Sequence, residues 1–241
     1  MTTARLEFVG GTLVLTGIPL SRLSEWFPTL FWAPDHRIGA MRCDALCYAA
    51  VIAELNRRHI AYVNDVAEQQ EIHWRLDALH DLRPEQIQAV DAWMSAGQRG
   101  CIIMPTGTGK TEVALAIMQR TRVPTLVVSP VRDLIYQWHR RILRTLGYDA
   151  GIIGDSIFRV QPVSVTTYDS ACIHMASLGS RFGLIVFDEC HHLPGPIRRD
   201  AARMSIAPAR LGLTATPERS DGRHSDLSEL IGPITDWPDC L

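Results

Sequence analysis

Seven residues, Pro105-Thr-Gly-Thr-Gly-Lys-Thr111, constrain this chain more than any other stretch. Gly107 and Gly109 permit positive φ angles, so successive backbone N–H groups can turn toward one anion. Lys110 and Thr111 then open a helix whose N-terminus favours negative charge. The flanks match: Gly100-Cys-Ile-Ile-Met104 reads as a buried strand entering the loop, and Glu112-Val-Ala-Leu-Ala-Ile-Met118 as the helix leaving it. Composition sharpens the point, because of the 24 lysines and arginines only Lys110 is a lysine. A compact, rotatable ammonium reaches between phosphate oxygens, a task the flat guanidinium does poorly. The stretch reads as a phosphate loop in which Pro105, Thr106 and Thr108 complete the cradle and the Thr111 hydroxyl is placed to ligate Mg²⁺. The strict pattern G-x-x-x-x-G-K-[ST] has glycine where this chain has Met104. The competing reading is a Gly-rich turn that binds nothing.

The 241 residues suit one large domain, or a domain of about 150 residues with a smaller companion. A net charge of −2 excludes bulk basicity, so any nucleic-acid contact has to come from local patches. No apolar run approaches the roughly 20 residues that span a bilayer, and the start lacks a signal-peptide pattern, so the expected location is the cytoplasm and no membrane partner is expected. Six scattered cysteines suit reduced core thiols better than a disulfide framework. Cys43 with Cys47, expected on one helical face, and Cys190 with His191 and His192 could each begin a zinc site. Core packing is the better account of both, because neither has a second ligand pair.

Residues 1–64 read as a small α+β unit. Arg5–Val9 and Thr12–Thr16 flank Gly10-Gly11 as in a tight β-hairpin. Trp26, Phe27, Phe31 and Trp32 follow, read as core, with a base-stacking surface as the alternative. An amphipathic helix is expected from Cys43 to Arg58 and a closing strand from His59 to Val63. The polar stretch 65–82 reads as a linker. From residue 83 to the end, helices alternate with apolar strands expected at 101–104, 124–129, 150–153, 163–166, 183–187 and 209–213, and Pro84 opens a helix running to Met94. That alternation predicts an α/β fold with a parallel sheet whose strand C-termini gather the chemistry.

One such strand, Gly183-Leu-Ile-Val-Phe187, runs into Asp188-Glu-Cys-His191. On a strand beside the phosphate strand, Asp188 is placed to hold Mg²⁺ and Glu189 to orient or deprotonate an attacking water. With the phosphate loop as motif I, Asp188–His191 as motif II and Thr214-Ala-Thr216 as motif III, the chain resembles the superfamily 2 helicases and translocases. Thr125–Arg132, continuing to Gln137-Trp138, is similar to motif Ia, and Val163–Tyr168 to a later DNA-backbone motif. Leu82-Arg-Pro-Glu-Gln86 resembles the adenine-recognition element. The resemblance implies a RecA-like domain that binds ATP with Mg²⁺, with Gln86 reading the base edge and Arg83 near the ring. It implies Arg132, Thr166 and Thr167 as DNA-backbone contacts, and Thr214 and Thr216 as couplers of phosphate state to DNA.

A narrower resemblance lies in Leu213-Thr-Ala-Thr-Pro-Glu-Arg-Ser-Asp-Gly-Arg-His224 and Leu230-Ile-Gly-Pro233, which are similar to the xeroderma pigmentosum group B (XPB) repair helicases, especially prokaryotic members. That family carries Arg-Glu-Asp after motif III, an element linked to opening damaged DNA. This chain has Arg219-Ser220-Asp221, with the central carboxylate replaced. A small damage-recognition domain ahead of the first RecA-like domain would correspond to residues 1–64. Such motors hydrolyse ATP between two RecA-like lobes, so the chain is expected to be the N-terminal half of a motor acting on single-stranded or distorted duplex DNA, with a repair nuclease as a possible partner. A non-catalytic half-motor or docking module, and a restriction-type translocase subunit, are the alternatives.

Overall fold

The computed structural model describes residues 3–66, 71–76, 78, 79, 81–216 and 225–235. It contains two sheets. The first, five-stranded, is built from β1 (Ala4–Val9), β2 (Thr12–Thr16), β3 (Ala33–Asp35), β4 (Ala40–Asp44) and β5 (Tyr62–Asn64) in the order β3-β4-β2-β1-β5. Gly10 and Gly11, at φ 60° and 82°, make the turn between β1 and β2, as the glycine pair predicts. Helices α1 (Leu20–Trp26) and α2 (Tyr48–Arg57) accompany this sheet. Phe27 and Trp32 are buried in its core with Leu6, Leu13, Leu15 and Leu55, whereas Phe31 is 84% exposed.

The helix expected from Cys43 starts later. Met41 and Cys43 instead lie on β4, which pairs antiparallel with both β2 and β3, and a single 3₁₀ turn at Ala45–Cys47 leads into α2. Pairing on two sides outweighs the helical periodicity, because it satisfies the backbone while burying both side chains.

The second sheet has eight strands: β6 (Arg99–Ile103), β7 (Thr125–Ser129), β8 (Gly151–Gly154), β9 (Ile157–Phe158), β10 (Val163–Thr167), β11 (Leu184–Asp188), β12 (Ala209–Thr214) and β13 (Ile234–Thr235). Their order is β13-β6-β12-β11-β7-β10-β8-β9, parallel throughout except for the β8–β9 hairpin. This is the parallel α/β fold that the alternation of helix and apolar strand predicts. Helices α3 (Pro84–Ser95), α4 (Lys110–Thr121) and α5 (Arg132–Leu146) enclose one core with Ile102, Val127, Val165, Val186 and Leu211. Helices α6 (Tyr168–Leu178), α7 (Asp200–Arg203) and α8 (Ser225–Leu230) close the other face over Leu126, Val128, Ile185 and Phe187. A sheet covered on both sides explains strands such as Thr125–Ser129 and Leu184–Asp188, buried at every position.

The described part of the stretch 65–82 lies against this second unit. Ile72 is buried and donates its N–H to the Arg122 carbonyl at 2.7 Å, and Arg75 and Ala78 donate to Leu146 and Thr145 at the end of α5. The N-terminal unit also contacts the second one through segments flanking the sheets. Arg203 donates to Asp44 at 2.8 Å, Ile206 packs into the core of the first sheet, and Leu46 packs against the core on the α6 side of the second. Behind this joint, Arg210 on β12 is fully buried and donates to the carbonyls of Ala202, Ser205, Ala207 and Leu230.

Candidate nucleotide and DNA site

The strand-to-helix turn between β6 and α4 adopts the geometry its glycines permit. Gly107 and Gly109 sit at φ 82° and 88°, and Gly109 is the left-handed residue immediately before the helix. Thr108 closes the turn with its hydroxyl on the Pro105 carbonyl at 2.6 Å. A side chain at Gly107 would meet nothing, whereas one at Gly109 would run into the Gln86 amide. The loop is thus open on one side and buttressed on the other. Met104, standing where the strict pattern has glycine, is fully buried and donates its N–H to the Thr214 carbonyl, which extends the β6–β12 pairing by one residue.

Lys110 Nζ lies 3.3 Å from Glu189 Oε1 and 3.4 Å from the Met104 carbonyl. The acidic turn therefore does reach the phosphate loop, although β12 lies between β6 and β11 and the two motif-bearing strands are not neighbours as expected. Glu189 holds a left-handed backbone at φ 49°, costly for a non-glycine residue, and this turns the chain sharply at the end of β11.

Asp188 is buried, and two donors fall on the same oxygen: Trp138 Nε1 to Oδ2 at 2.8 Å and Ser129 Oγ to Oδ2 at 3.3 Å. Burial pushes its carboxyl above the usual value, the Trp138 hydrogen bond opposes that, and the nearby Glu189 charge adds to it. Its backbone carbonyl accepts the Tyr168 hydroxyl at 3.1 Å. A cavity of about 550 Å³ opens here, its wall including Thr106, Gly107, Lys110, Thr111, Asp188 and Glu189. The opposite wall is α5, which contributes Gln137, Trp138, Arg140, Arg141 and Arg144.

His191 links motif II to motif III, its Nδ1 3.0 Å from Thr214 Oγ1 and 3.5 Å from Glu189 Oε2. The Thr214 hydroxyl donates to the Thr216 carbonyl at 2.9 Å and accepts the Thr216 N–H at 3.2 Å. With that hydroxyl proton committed, Nδ1 of His191 is the natural donor to Thr214.

Not every expected residue falls in place. Gln86 is buried, its amide N donating to the Thr108 carbonyl at 2.9 Å and its Oε1 accepting the Arg83 N–H at 2.9 Å. Arg83 also reaches the Thr108 carbonyl and pairs with Glu85. Both residues brace the loop from outside, and neither lines the cavity. Thr166, expected as a backbone contact, is buried with its hydroxyl on the Ile153 carbonyl at 2.8 Å. Thr167 caps α6 through Ser170 and lines a second cavity with Arg132. Arg219 and Asp221 lie outside the described residues. No cluster of three or more metal-ligating side chains occurs among the described residues, and none of their helices is long and apolar enough to cross a membrane.

The comparisons agree with this geometry. Residues 79–219 match the family model described as "Type III restriction enzyme, res subunit", and residues 6–66 match "Xeroderma pigmentosum group B helicase damage recognition domain". The chain belongs to the first of these families, whose match spans more than half of it, and its N-terminal match makes it similar to the XPB helicases. Among curated relatives, "DNA 3'-5' translocase XPB2" of Sulfurisphaera tokodaii is 48% identical over 154 residues, covering 64% of this chain and 35% of the relative. "DNA 3'-5' helicase XPB" of Kineococcus radiotolerans is 37% identical, covering 63% and 29%. The chain spans about a third of the length of such relatives. The fold matches the UvsW helicase of bacteriophage T4 with a TM-score of 0.55 at 14% identity over 98% of this chain and 100% of that one. It also matches the SWI2/SNF2 ATPase core of Sulfolobus solfataricus, solved with double-stranded DNA, with a TM-score of 0.54 at 20% identity over 67% and 38%.

Sequence reasoning missed two supports of this site. The sequence places Ser129 and Trp138 only within the motif Ia stretch, with no role at the acidic turn. Their only signal is position, since Ser129 ends the strand beside β11 and Trp138 lies two helical turns further on.

Proposed function

We propose that the chain is the N-terminal half of an ATP-dependent DNA helicase or translocase of the XPB type, acting in repair and completed by a second RecA-like lobe. The observation that carries this is the convergence of Lys110, Asp188 and Glu189 at the open side of the phosphate loop. The residues fit nucleotide and Mg²⁺: the cavity has room for a triphosphate, Thr111 supplies a hydroxyl, and both donors to Asp188 use Oδ2, which leaves Oδ1 for a metal's water shell. Bound magnesium would neutralise charge between the phosphate oxygens. Lys110 exchanges Glu189 for phosphate, which frees Glu189 to orient water and accept its proton. His191 and Thr214 then carry a shift of the acidic turn to motif III.

Residues 1–64 serve as a DNA-recognition domain in this reading, and Arg132 and Thr167 hold the backbone of a single-stranded or distorted strand without reading sequence. A second lobe supplies arginines to the γ-phosphate, so the chain by itself binds ATP weakly and turns it over little. Loss of such an arginine removes about 10³-fold or more of the rate.

The test is to measure DNA-stimulated ATP hydrolysis by the chain alone and by the chain joined to a second lobe. Hydrolysis is expected only in the second case, and Glu189→Gln should then remove it while nucleotide binding survives. Motor-like turnover by the isolated chain would contradict the proposal.

A further inference from the structure

We propose that Asp155 is a built-in competitor for the DNA backbone, its carboxylate holding the phosphate seat on Arg132 until a strand of linked phosphates displaces it. This rests on the reading of Arg132 and Thr167 as backbone contacts. The seat is a cavity of about 330 Å³ whose wall includes Val131, Arg132, Asp155, Thr167, Asp169 and Ser170. Two helices begin there, α5 after Val131 and α6 after Thr167, so two helix N-termini and one guanidinium favour an anion at the same place.

That anion is already supplied by the protein. Asp155 Oδ1 accepts from Arg132 Nη1 at 3.1 Å, and Oδ2 accepts from the Tyr136 hydroxyl at 2.8 Å. The β8–β9 turn is shaped to deliver it. Gly154 has φ 136°, and a side chain there would meet Ser170 Oγ at 2.9 Å, so the turn sits directly on the start of α6. Asp155 and Ser156 then both adopt the left-handed backbone, at φ 52° and 62°. Aspartate tolerates that conformation better than most side chains, and the turn aims its carboxylate at α5. The other acid at the rim, Asp169, is paired with Arg198 at 3.2 Å.

A tethered carboxylate acts at an effective concentration that free phosphate or a nucleotide does not match. A DNA strand already held at other points meets Arg132 on equal terms, because its next phosphate is tethered too. Asp155 thereby selects a polymer of phosphates over isolated ones.

Asp155→Asn removes the charge but keeps the turn and a partner for Tyr136. Affinity for a labelled oligothymidylate about twenty nucleotides long would be measured across a salt series for the wild type, Asp155→Asn, Arg132→Gln and the double variant. Asp155→Asn should bind about 2–5-fold tighter, the scale of one exposed ion pair. Its log–log salt slope should steepen by up to about 0.7, the share of one single-strand phosphate. Arg132→Gln should bind more weakly, and Asp155→Asn should bring no gain on top of it. A gain that persists without Arg132 would make Asp155 a diffuse charge rather than a competitor. Unchanged or weaker binding by Asp155→Asn, with Arg132→Gln still impaired, would overturn the competitor and leave the DNA face standing. If Arg132→Gln matches the wild type, both fall.

Discussion

Trp138 and Asp188 are joined by a hydrogen bond of 2.8 Å that ties the middle of α5 to the end of β11. Burial raises the pKa of this carboxyl, and the hydrogen bond opposes that by favouring the ionised form, the form a magnesium site requires.

Magnesium-dependent nucleotide binding should therefore weaken as the pH falls through the raised Asp188 value, and Trp138→Phe should move that loss to higher pH. Titration of a fluorescent ATP analogue at fixed Mg²⁺ checks it, and an unmoved midpoint would remove Trp138 from the site. The fold should respond in the opposite sense. An acid whose folded pKa lies above its unfolded one contributes stability while protonated and loses it as pH rises through those two values. Asp188→Asn should thus raise the stability of the chain at neutral pH, read as a higher Tm, while abolishing magnesium-dependent binding.

The solitary lysine gives a chemical test of the phosphate loop. An amine-directed acylating reagent can modify only Lys110 and the N-terminal amine. Saturating Mg-ATP should shield Lys110 between phosphate oxygens, and prior modification should abolish nucleotide binding. Lys110→Arg should be nearly as damaging as Lys110→Ala, since the planar fork does not fit a nest sized for an ammonium. Peptide mapping reads the outcome, and labelling indifferent to Mg-ATP would contradict the loop's role.

Thr214→Val is isosteric but takes away the hydroxyl that meets the His191 ring and accepts the Thr216 N–H. It should cost about 1–3 kcal/mol by denaturant unfolding. In the two-lobe protein it should reduce DNA stimulation of hydrolysis more than basal hydrolysis. Equal loss of both would make the contact merely structural.

Arg210→Leu should destabilise more severely, by roughly 3–5 kcal/mol, because four buried carbonyls lose their donor at once. Arg210→Lys keeps a charge but has fewer donors in a less suitable geometry, and should fall between. A midpoint unchanged in either variant would show that water replaces the guanidinium.

The strands of the second sheet, the loop glycines and the acidic turn were legible in the sequence because each obeys a local rule of alternation or spacing. What escaped depended on contacts between distant segments. Cys43 looked helical because nothing nearby reveals that β4 pairs on both edges. Thr166 and Thr167 are equivalent in a motif and both are buried, yet the first spends its hydroxyl on the Ile153 carbonyl and the second caps α6. Gln86 is expected at a base edge, and what the sequence does not reveal is that its amide also braces the loop through Arg83 and Thr108.

The joint between the two sheets lies on the stretch of chain between the acidic turn and β12, through Arg203 and Ile206. The N-terminal sheet is therefore hung from the segment that connects Glu189 to the threonines of motif III. In the motor proposed above, a reader of DNA shape mounted there would be geared to the moving part of the engine rather than bolted to its housing. A tug from bound DNA on that sheet would arrive first at the linkage that times hydrolysis.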